Sequence, residues 1–237
     1  MKILIIGYGK MGRMIDKMAR ERGDEISAVI NQQEDWEHMQ PSSFADAAIE
    51  FTQPEAVKGN LLMCFNLGIP VVCGTTGWYH HLPEIEATAK ALDGSLLYAP
   101  NFSKGVNLLF ALNRWLAEKM NQHAAYNVSI QEYHHIHKLD APSGTAIKLA
   151  DDLAASHSRY DGWERGAAAG PDKIPIKSVR NGEIPGAHSI IWESPYDKIQ
   201  IIHEANSRHM LAEGALDAAH WLIGRKGIYT FEQMLFA

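Results

Sequence analysis

The chain has 237 residues, 46% hydrophobic and 21% charged, enough for one large domain or two small ones whose core removes roughly 70–75% of the unfolded surface from water. With 19 Gly and 10 Pro dispersed along it, this composition excludes disordered, collagen-like and low-complexity classes. Its 22 Lys+Arg against 28 Asp+Glu give a net charge of −6 without a long basic run, which argues against a nucleic-acid backbone binder and leaves local cationic pockets for small anions.

The chain opens on Lys2 and the run Ile3-Leu4-Ile5-Ile6 before Gly7. That run is too short for the apolar region of a signal peptide, and no apolar stretch nears the ~18 residues of a membrane span. Strands are predicted over 2–6, 26–30, 47–51, 70–73 and 95–98. Between them, residues 11–22 carry Met11, Met14, Ile15, Met18 and Ala19 at helical spacing, and residues 54–66 and 82–92 are likewise amphipathic, with Pro54 and Pro83 suited to a first helical turn. Alternation of this kind predicts a parallel sheet with crossover helices. Cys64 and Cys73 lie in apolar stretches and form neither a metal quartet nor a disulfide framework, which points to a reducing, cytoplasmic setting.

After Asn101 the pattern changes. A helix over 106–122, a strand over 127–135 and a helix over 143–155 precede an aperiodic segment, 157–173, read as a surface loop. Runs at 174–179, 188–192 and 199–205 suggest antiparallel strands, with Asn181-Gly182 and Ser194-Pro195 as turn signals. A last helix, 208–223, is expected to return to the first domain. The fold class is therefore α/β: an N-terminal Rossmann-type parallel sheet (1–104, with 207–237 packing back onto it) and a second, mixed α/β domain (105–206).

Gly7-Tyr8-Gly9-Lys10-Met11-Gly12 matches G-x-G-x-x-G directly after a strand and at the opening of a helix, the context in which glycines let a pyrophosphate approach backbone N–H groups. The acidic residue that usually closes the second strand is replaced by Asn31, which leaves the choice between NADH and NADPH open; Glu34 and Asp35 read as loop charges. Gly74-Thr75-Thr76-Gly77 and Ala99-Pro100-Asn101-Phe102 each follow a predicted strand, at the sheet edge where such folds bind ligands, with a helix cap and a domain linker as the weaker alternatives.

The stretch from Glu132 to Ala146 gathers His134, His135, His137 and Lys138 just ahead of a helix start marked by Pro142, Ser143, Gly144 and Thr145. Free N–H groups there attract a carboxylate, lysine adds a full charge, and histidine can donate a proton near neutral pH. A zinc reading, with His135 and His137 on one strand face, competes, but no carboxylate or thiolate completes the set, so no metal is expected. Glu132 and Asp140 read as supporting or structural groups. Arg180 to His188 reads as a turn between antiparallel strands, and the six tryptophans suit either core or oligomer interface.

These motifs, in this order and over nearly the whole length, resemble the 4-hydroxy-tetrahydrodipicolinate reductase (dihydrodipicolinate reductase) family of the lysine and diaminopimelate pathway. The resemblance rests on residues 7–12, Glu50-Phe51-Thr52-Gln53-Pro54-Glu55, 74–77, 99–103 with Gly105-Val106-Asn107, 134–146, and Arg180-Asn181-Gly182 with Pro185, Gly186 and His188. It implies an NADH- or NADPH-dependent reductase acting on a cyclic dicarboxylate, and a homotetramer built through the second domains. By the same resemblance His134 acts as proton donor or acceptor, Lys138 as proton donor, and His135, Gly144 and Thr145 contact substrate. Residues 7–12, 74–76 and 99–102 contact the cofactor. The segment 31–44 is shorter than in longer relatives.

Overall fold

The computed structural model describes residues 1–32, 34–37 and 45–237. Most of the short 31–44 segment lies outside them. The chain divides into two compact units: Met1–Lys104 with His209–Ala237, and Gly105–Arg208.

In the first unit, β1 (Lys2–Ile6), β2 (Glu25–Ile30), β3 (Ala47–Glu50), β4 (Val71–Cys73) and β5 (Ser95–Tyr98) alternate with α1 (Lys10–Glu21), a short α2 (Glu34–Glu37), α3 (Pro54–Asn66) and α4 (Leu82–Ala91). A sixth strand, β11 (Gly227–Thr230), comes from the C-terminal segment. The sheet order is β11-β5-β4-β3-β1-β2, with every neighbouring pair parallel. Both faces are covered, as a parallel sheet requires, and the period-2 alternation of β1 divides its apolar residues between them. Ile3 and Ile5 join one core with Ile15 and Ala19 of α1 and Ala215 and Leu216 of α7 (His209–Leu222), whereas Leu4 and Ile6 join another with Val57, Leu61 and Ile85 of α3 and α4.

In the second unit α5 (Lys104–Met120), which starts at the boundary, is followed by β6 (Asn127–His134), α6 (Gly144–Ser156), β7 (Trp163–Arg165), β8 (Ile174–Arg180), β9 (Ala187–Glu193) and β10 (Lys198–Glu204). The sheet order is β10-β9-β6-β8-β7. Ile130, Ile176, Ile190 and Trp192 point from it into a core shared with Phe110 of α5 and Leu149 and Leu153 of α6.

Three expectations from sequence are corrected here. β8 runs parallel to β6 and is separated from β9 by it, so residues 181–186 form a crossover connection rather than a hairpin turn. The segment 157–173 contains β7, paired parallel to β8, with Tyr160 buried; three strand residues in a Gly- and Ala-rich stretch leave no periodicity to detect. Beyond α7, β11 and α8 (Phe231–Leu235) were not anticipated, although the Thr230/Gln233 capping box was a readable helix-start signal.

α7 packs so closely that Gly214 has no room for a side chain: a Cβ there would lie 1.9 Å from the Phe102 carbonyl oxygen and 3.0 Å from the Phe231 ring. Gly214→Ala should therefore cost about 1–3 kcal/mol, and scanning calorimetry should register roughly 2–4 °C of lost melting temperature per kcal/mol. Gly9→Ala, whose Cβ meets nothing within 4 Å, should stay within about 0.5 kcal/mol of the parent.

Candidate active site

In the first unit the chain leaves β1 and turns at Gly7 with φ +92°, a left-handed conformation that glycine adopts without penalty. A Cβ on Gly7 would sit 2.2 Å from the Phe51 carbonyl oxygen, and one on Gly12 would sit 2.0 Å from the Gly7 carbonyl oxygen. Backbone packing thus demands both glycines. Gly9 is different: open space lies over it, and no side chain caps the N-terminal N–H groups of α1. None of the described residues needs glycine there, and the free helix start leaves room for an anion.

A cleft of about 530 Å³ opens at this point, lined by Gly7, Tyr8, Gly9 and Asn31 among the expected residues, and also by Thr52, Gln53 and Glu55 of the next strand-to-helix turn. The Thr52 N–H donates to Thr75 Oγ1 at 2.8 Å, tying two sheet-edge loops together, and to the carboxylate of fully buried Glu50 at 3.1 Å. Glu50 also accepts the Cys73 thiol at 3.0 Å. Burial, reinforced by Glu50, pushes the Cys73 thiol well above its ordinary range, which makes it structural rather than reactive.

Other expected cofactor residues lie outside the cleft lining. Lys10 is exposed on α1, Met11 packs against the core, and Ala99 and Phe102 are themselves buried in it. The Phe102 ring lies 5.0 Å from that of Phe231 within this core, so it is the Phe102 backbone that is left for a ligand to meet. Pro100 is exposed, and the Asn101 side chain accepts the Ser103 N–H at 2.8 Å. Asp35, expected to be a loop charge, lies in α2 and accepts the N–H groups of Asn31 and Gln32.

In the second unit the center of the site is Glu132, fully buried on β6. One carboxylate oxygen accepts Arg180 Nη2 at 2.9 Å and the Ser143 N–H at 3.2 Å; the other stands 2.5 Å from His134 Nδ1. Burial alone would raise this carboxyl, but its polar neighbours His134, Ser178 and Arg180 outweigh it and hold Glu132 well below the usual carboxylate range. Arg180 also donates to the Asp140 carbonyl at 2.6 Å and the Lys138 carbonyl at 3.4 Å, folding the 138–140 segment over the end of β6. The peptide bond between Ala141 and Pro142 is cis.

Ser143 caps α6 through its hydroxyl, which accepts the Ala146 N–H at 3.2 Å and lies 3.1 Å from His188 Nε2. Gly144 and Thr145 then occupy the open first turn, where N–H groups have no intrahelical acceptor. Lys138 pairs with Asp140 at 2.8 Å and keeps 23% of its side chain exposed. The His134 and His188 rings meet edge to face at 5.2 Å, and Gly186 lets His134 sit there, since a Cβ on it would lie 3.0 Å from Nε2. His137 turns outward to exposed Glu183 at 3.3 Å, its ring 6.1 Å from that of His135.

Ligand atoms of Glu132, His134 and His188 all lie within 4.8 Å of one another, a different trio from the His135/His137 pair weighed from sequence. The Arg180 guanidinium already occupies the carboxylate, so a cation entering here would face a fixed positive charge. The arrangement instead holds a histidine in fixed orientation beside a helix start and a lysine. Arg180 and His188 stand in the sequence motif that carries the resemblance, but the sequence reading gives them no site role, because the stretch between them reads as a turn between antiparallel strands.

Residues 1–102 match the family described as "Dihydrodipicolinate reductase, N-terminus", and residues 105–235 match "Dihydrodipicolinate reductase, C-terminus". The chain belongs to the dihydrodipicolinate reductase family. It is 41% identical over 236 residues to the 4-hydroxy-tetrahydrodipicolinate reductase of Christiangramia forsetii, covering 99% of this chain and 98% of that protein. Identity to the enzyme of the same name from Staphylococcus saprophyticus is 34%, covering 99% and 100%. Among solved structures, the dipicolinate-bound dihydrodipicolinate reductase of Paenisporosarcina sp. TG-14 superposes with a TM-score of 0.80 at 23% identity, over 98% of each chain. The amine dehydrogenase of Mycobacterium smegmatis gives 0.60 at 12%, over 98% of this chain and 95% of that one, a likeness of fold. A dihydrodipicolinate reductase takes a nicotinamide cofactor, and the open cradle over Gly9 with the uncapped α1 N-terminus suits its pyrophosphate.

The buried network also sets a pH dependence. Burial lowers the His188 pKa from 6.5 to about 4, with the nearby His134 adding to the effect. Unfolded His188 takes up a proton below about pH 6.5, while folded His188 resists until about pH 4, so stability falls as pH drops through that window and this group has no effect above it. The loss should be about 3 kcal/mol, and urea unfolding of His188→Gln across the same range should show a shallower decline. Glu132, with its pKa depressed, contributes stability that is present above the ordinary carboxylate pKa and lost only at lower pH.

Proposed function

We propose that this chain reduces 4-hydroxy-tetrahydrodipicolinate to tetrahydrodipicolinate in lysine and diaminopimelate biosynthesis, with NADH or NADPH as reductant. In this reading the first unit binds the dinucleotide and the second binds the cyclic dicarboxylate and mediates self-association. The observation that carries it is the buried Glu132 holding His134 and Arg180 beside the Ser143-capped start of α6. Bound nicotinamide supplies the hydride.

The rest is the work of the protein. Substrate carboxylates are drawn to the free N–H groups of Gly144 and Thr145 and to the Lys138 ammonium, with His135 as a further contact. Glu132 faces His134 Nδ1, which fixes the ring and leaves Nε2 to exchange a proton; Lys138 is the second proton donor. Residues 7–12, Asn31, 74–76 and 99–102 are assigned to the cofactor, with Gly7 to Gly9 and Asn31 in the cleft as the strongest support.

The test is initial-rate oxidation of NADH and NADPH with substrate generated in place from pyruvate and aspartate semialdehyde by the preceding synthase. Turnover is expected with at least one dinucleotide. His134→Ala and Lys138→Ala should each lower it by roughly 10²-fold or more while NADH affinity stays close to that of the parent. Parent-like rates in both variants would remove these residues from the mechanism.

Self-association as a homotetramer is supported by apolar side chains on the second unit. Leu108, Leu112 and Trp115 form an exposed stripe on α5, and Ile199 and Ile202 are exposed on edge strand β10. Sedimentation equilibrium should give a tetramer at micromolar concentration, with Ile202→Lys shifting it toward smaller species; a parent monomer would refute this assignment. No helix among the described residues is long and apolar enough to cross a membrane, and buried free thiols at Cys64 and Cys73 are compatible with a cytoplasmic location.

A further inference from the structure

In the proposed reduction the substrate gains a hydride and a proton and loses water, so the group that gives the proton has to be reloaded from solvent before the next turnover. His134, assigned that role above, is poorly placed to meet water itself: its side chain is only 10% exposed and its Nδ1 faces Glu132. Lys138, 23% exposed, has no such difficulty. Beside His134, two further histidines stand in a row across the sheet. His188 of β9 lies directly opposite Glu132 of β6 on one side and directly opposite His203 of β10 on the other. Side chains paired in this way leave the sheet on the same face, with Cβ atoms about 4.5–5.5 Å apart. A nitrogen of His188 and one of His134 lie within 4.8 Å of each other, a gap that one bridging water spans, and the two rings meet edge to face.

The row runs from the interior to the sheet edge. His188 is 4% exposed, whereas His203 is half-buried on the edge strand β10. Each has a buried Nδ1 without a hydrogen-bond partner among the described residues, and the Ser143 hydroxyl, which can both give and take a proton, lies 3.1 Å from His188 Nε2. An unpaired buried nitrogen costs free energy that an apolar side chain would not incur, so packing alone does not account for histidine at both positions. Burial lowers the pKa of both imidazoles, and a neutral imidazole carries one donor and one acceptor nitrogen, so it takes up a proton at one as it releases another from the other. We infer that His203 and His188 form a proton relay that reloads His134 from solvent. An acid in solution protonates His203, the proton passes to His188 and from there to His134, and it replaces the one that His134 gives to the substrate; no electrons move along the row. Neither relay histidine meets the substrate. The inference rests on the proposed reduction with His134 as proton donor and goes beyond it by naming the path of the proton.

The test follows oxidation of the dinucleotide by the intact protein in dilute buffer, with substrate generated as above. His203→Gln, close in volume and unable to pass a proton, should lower kcat roughly tenfold or more at an unchanged melting temperature. Its first turnover, read by stopped flow with dinucleotide-loaded protein in excess over substrate, should keep the parent rate, because His134 starts out protonated. His203→Ala should show the same loss of kcat, and added imidazole should restore it in step with concentration, which a purely structural defect would not allow. A parent-like kcat in His203→Gln, a first turnover slowed as much as kcat, or a His203→Ala deficit indifferent to imidazole would overturn the relay while leaving the reduction itself intact. Absence of turnover in the parent with either dinucleotide would overturn both.

Discussion

A carboxylate shut away from water must be balanced inside the protein, and Glu132 is the place where this requirement organises the second unit. Its partners come from separate parts of the chain: His134 two residues along β6, Arg180 at the end of β8, and the Ser143 N–H at the start of α6. Leaving one of them out would strand a buried charge, which costs far more than the ordinary worth of a single hydrogen bond. The network therefore fixes the parallel pairing of β6 with β8 and docks α6 against both. The positions of His134, Lys138 and the open turn at Gly144 follow from it. Structural necessity and the proposed proton-transfer chemistry rest on the same carboxylate.

The first unit is built on a different constraint, which is steric. Gly7 and Gly12 are required by backbone atoms 2.2 Å and 2.0 Å from where their Cβ atoms would be, and Gly74 by the Phe51 ring at 2.1 Å. These contacts draw the β1–α1, β3–α3 and β4–α4 turns together at one edge of the sheet, where successive strand ends leave a crevice. Gly9 is the exception with free space, so the packing that accounts for Gly7 and Gly12 does not account for it, in keeping with the cofactor role proposed for it. A G-x-G-x-x-G pattern alone does not distinguish these roles; the surrounding atoms do.

Much of this was legible before any coordinates. β1, β5 and α3 begin and end where hydrophobic periodicity places them, because each is long enough or apolar enough for packing and propensity to agree. The His134 to Thr145 stretch was readable because residues adjacent in sequence stay adjacent in space. What escaped depends on pairing at a distance. No local pattern states that β8 runs beside β6 rather than β9, so Arg180 read as a turn residue although its guanidinium reaches Glu132, 48 positions earlier. β7 and β11 are three and four residues long, too short to show a period, and become strands through their neighbours. Phe102 follows strand β5 in a motif expected from sequence to meet the cofactor, and its ring packs among Phe51 and Phe231, an outcome set by volume rather than by sequence context.

Charge supplies the last link. The chain is net negative, and the cations nearest the proposed substrate site are already matched, Arg180 to Glu132 and Lys138 to Asp140. A dicarboxylate arriving there meets little free positive charge. Arg180 cannot be released without stranding Glu132, so its role stays structural. Lys138 is in another position: its partner Asp140 is 58% exposed and can be surrendered to water, leaving the ammonium to take a substrate carboxylate instead. Such an exchange gains only the difference between two similar ion pairs, so affinity must come largely from the backbone donors of Gly144 and Thr145, which have no competing acceptor within their helix. In the proposed mechanism Lys138 therefore exchanges one carboxylate partner for another, and the substrate's own charge holds its ammonium in place. On this account the Lys138–Asp140 pair is a placeholder for the substrate's own charge.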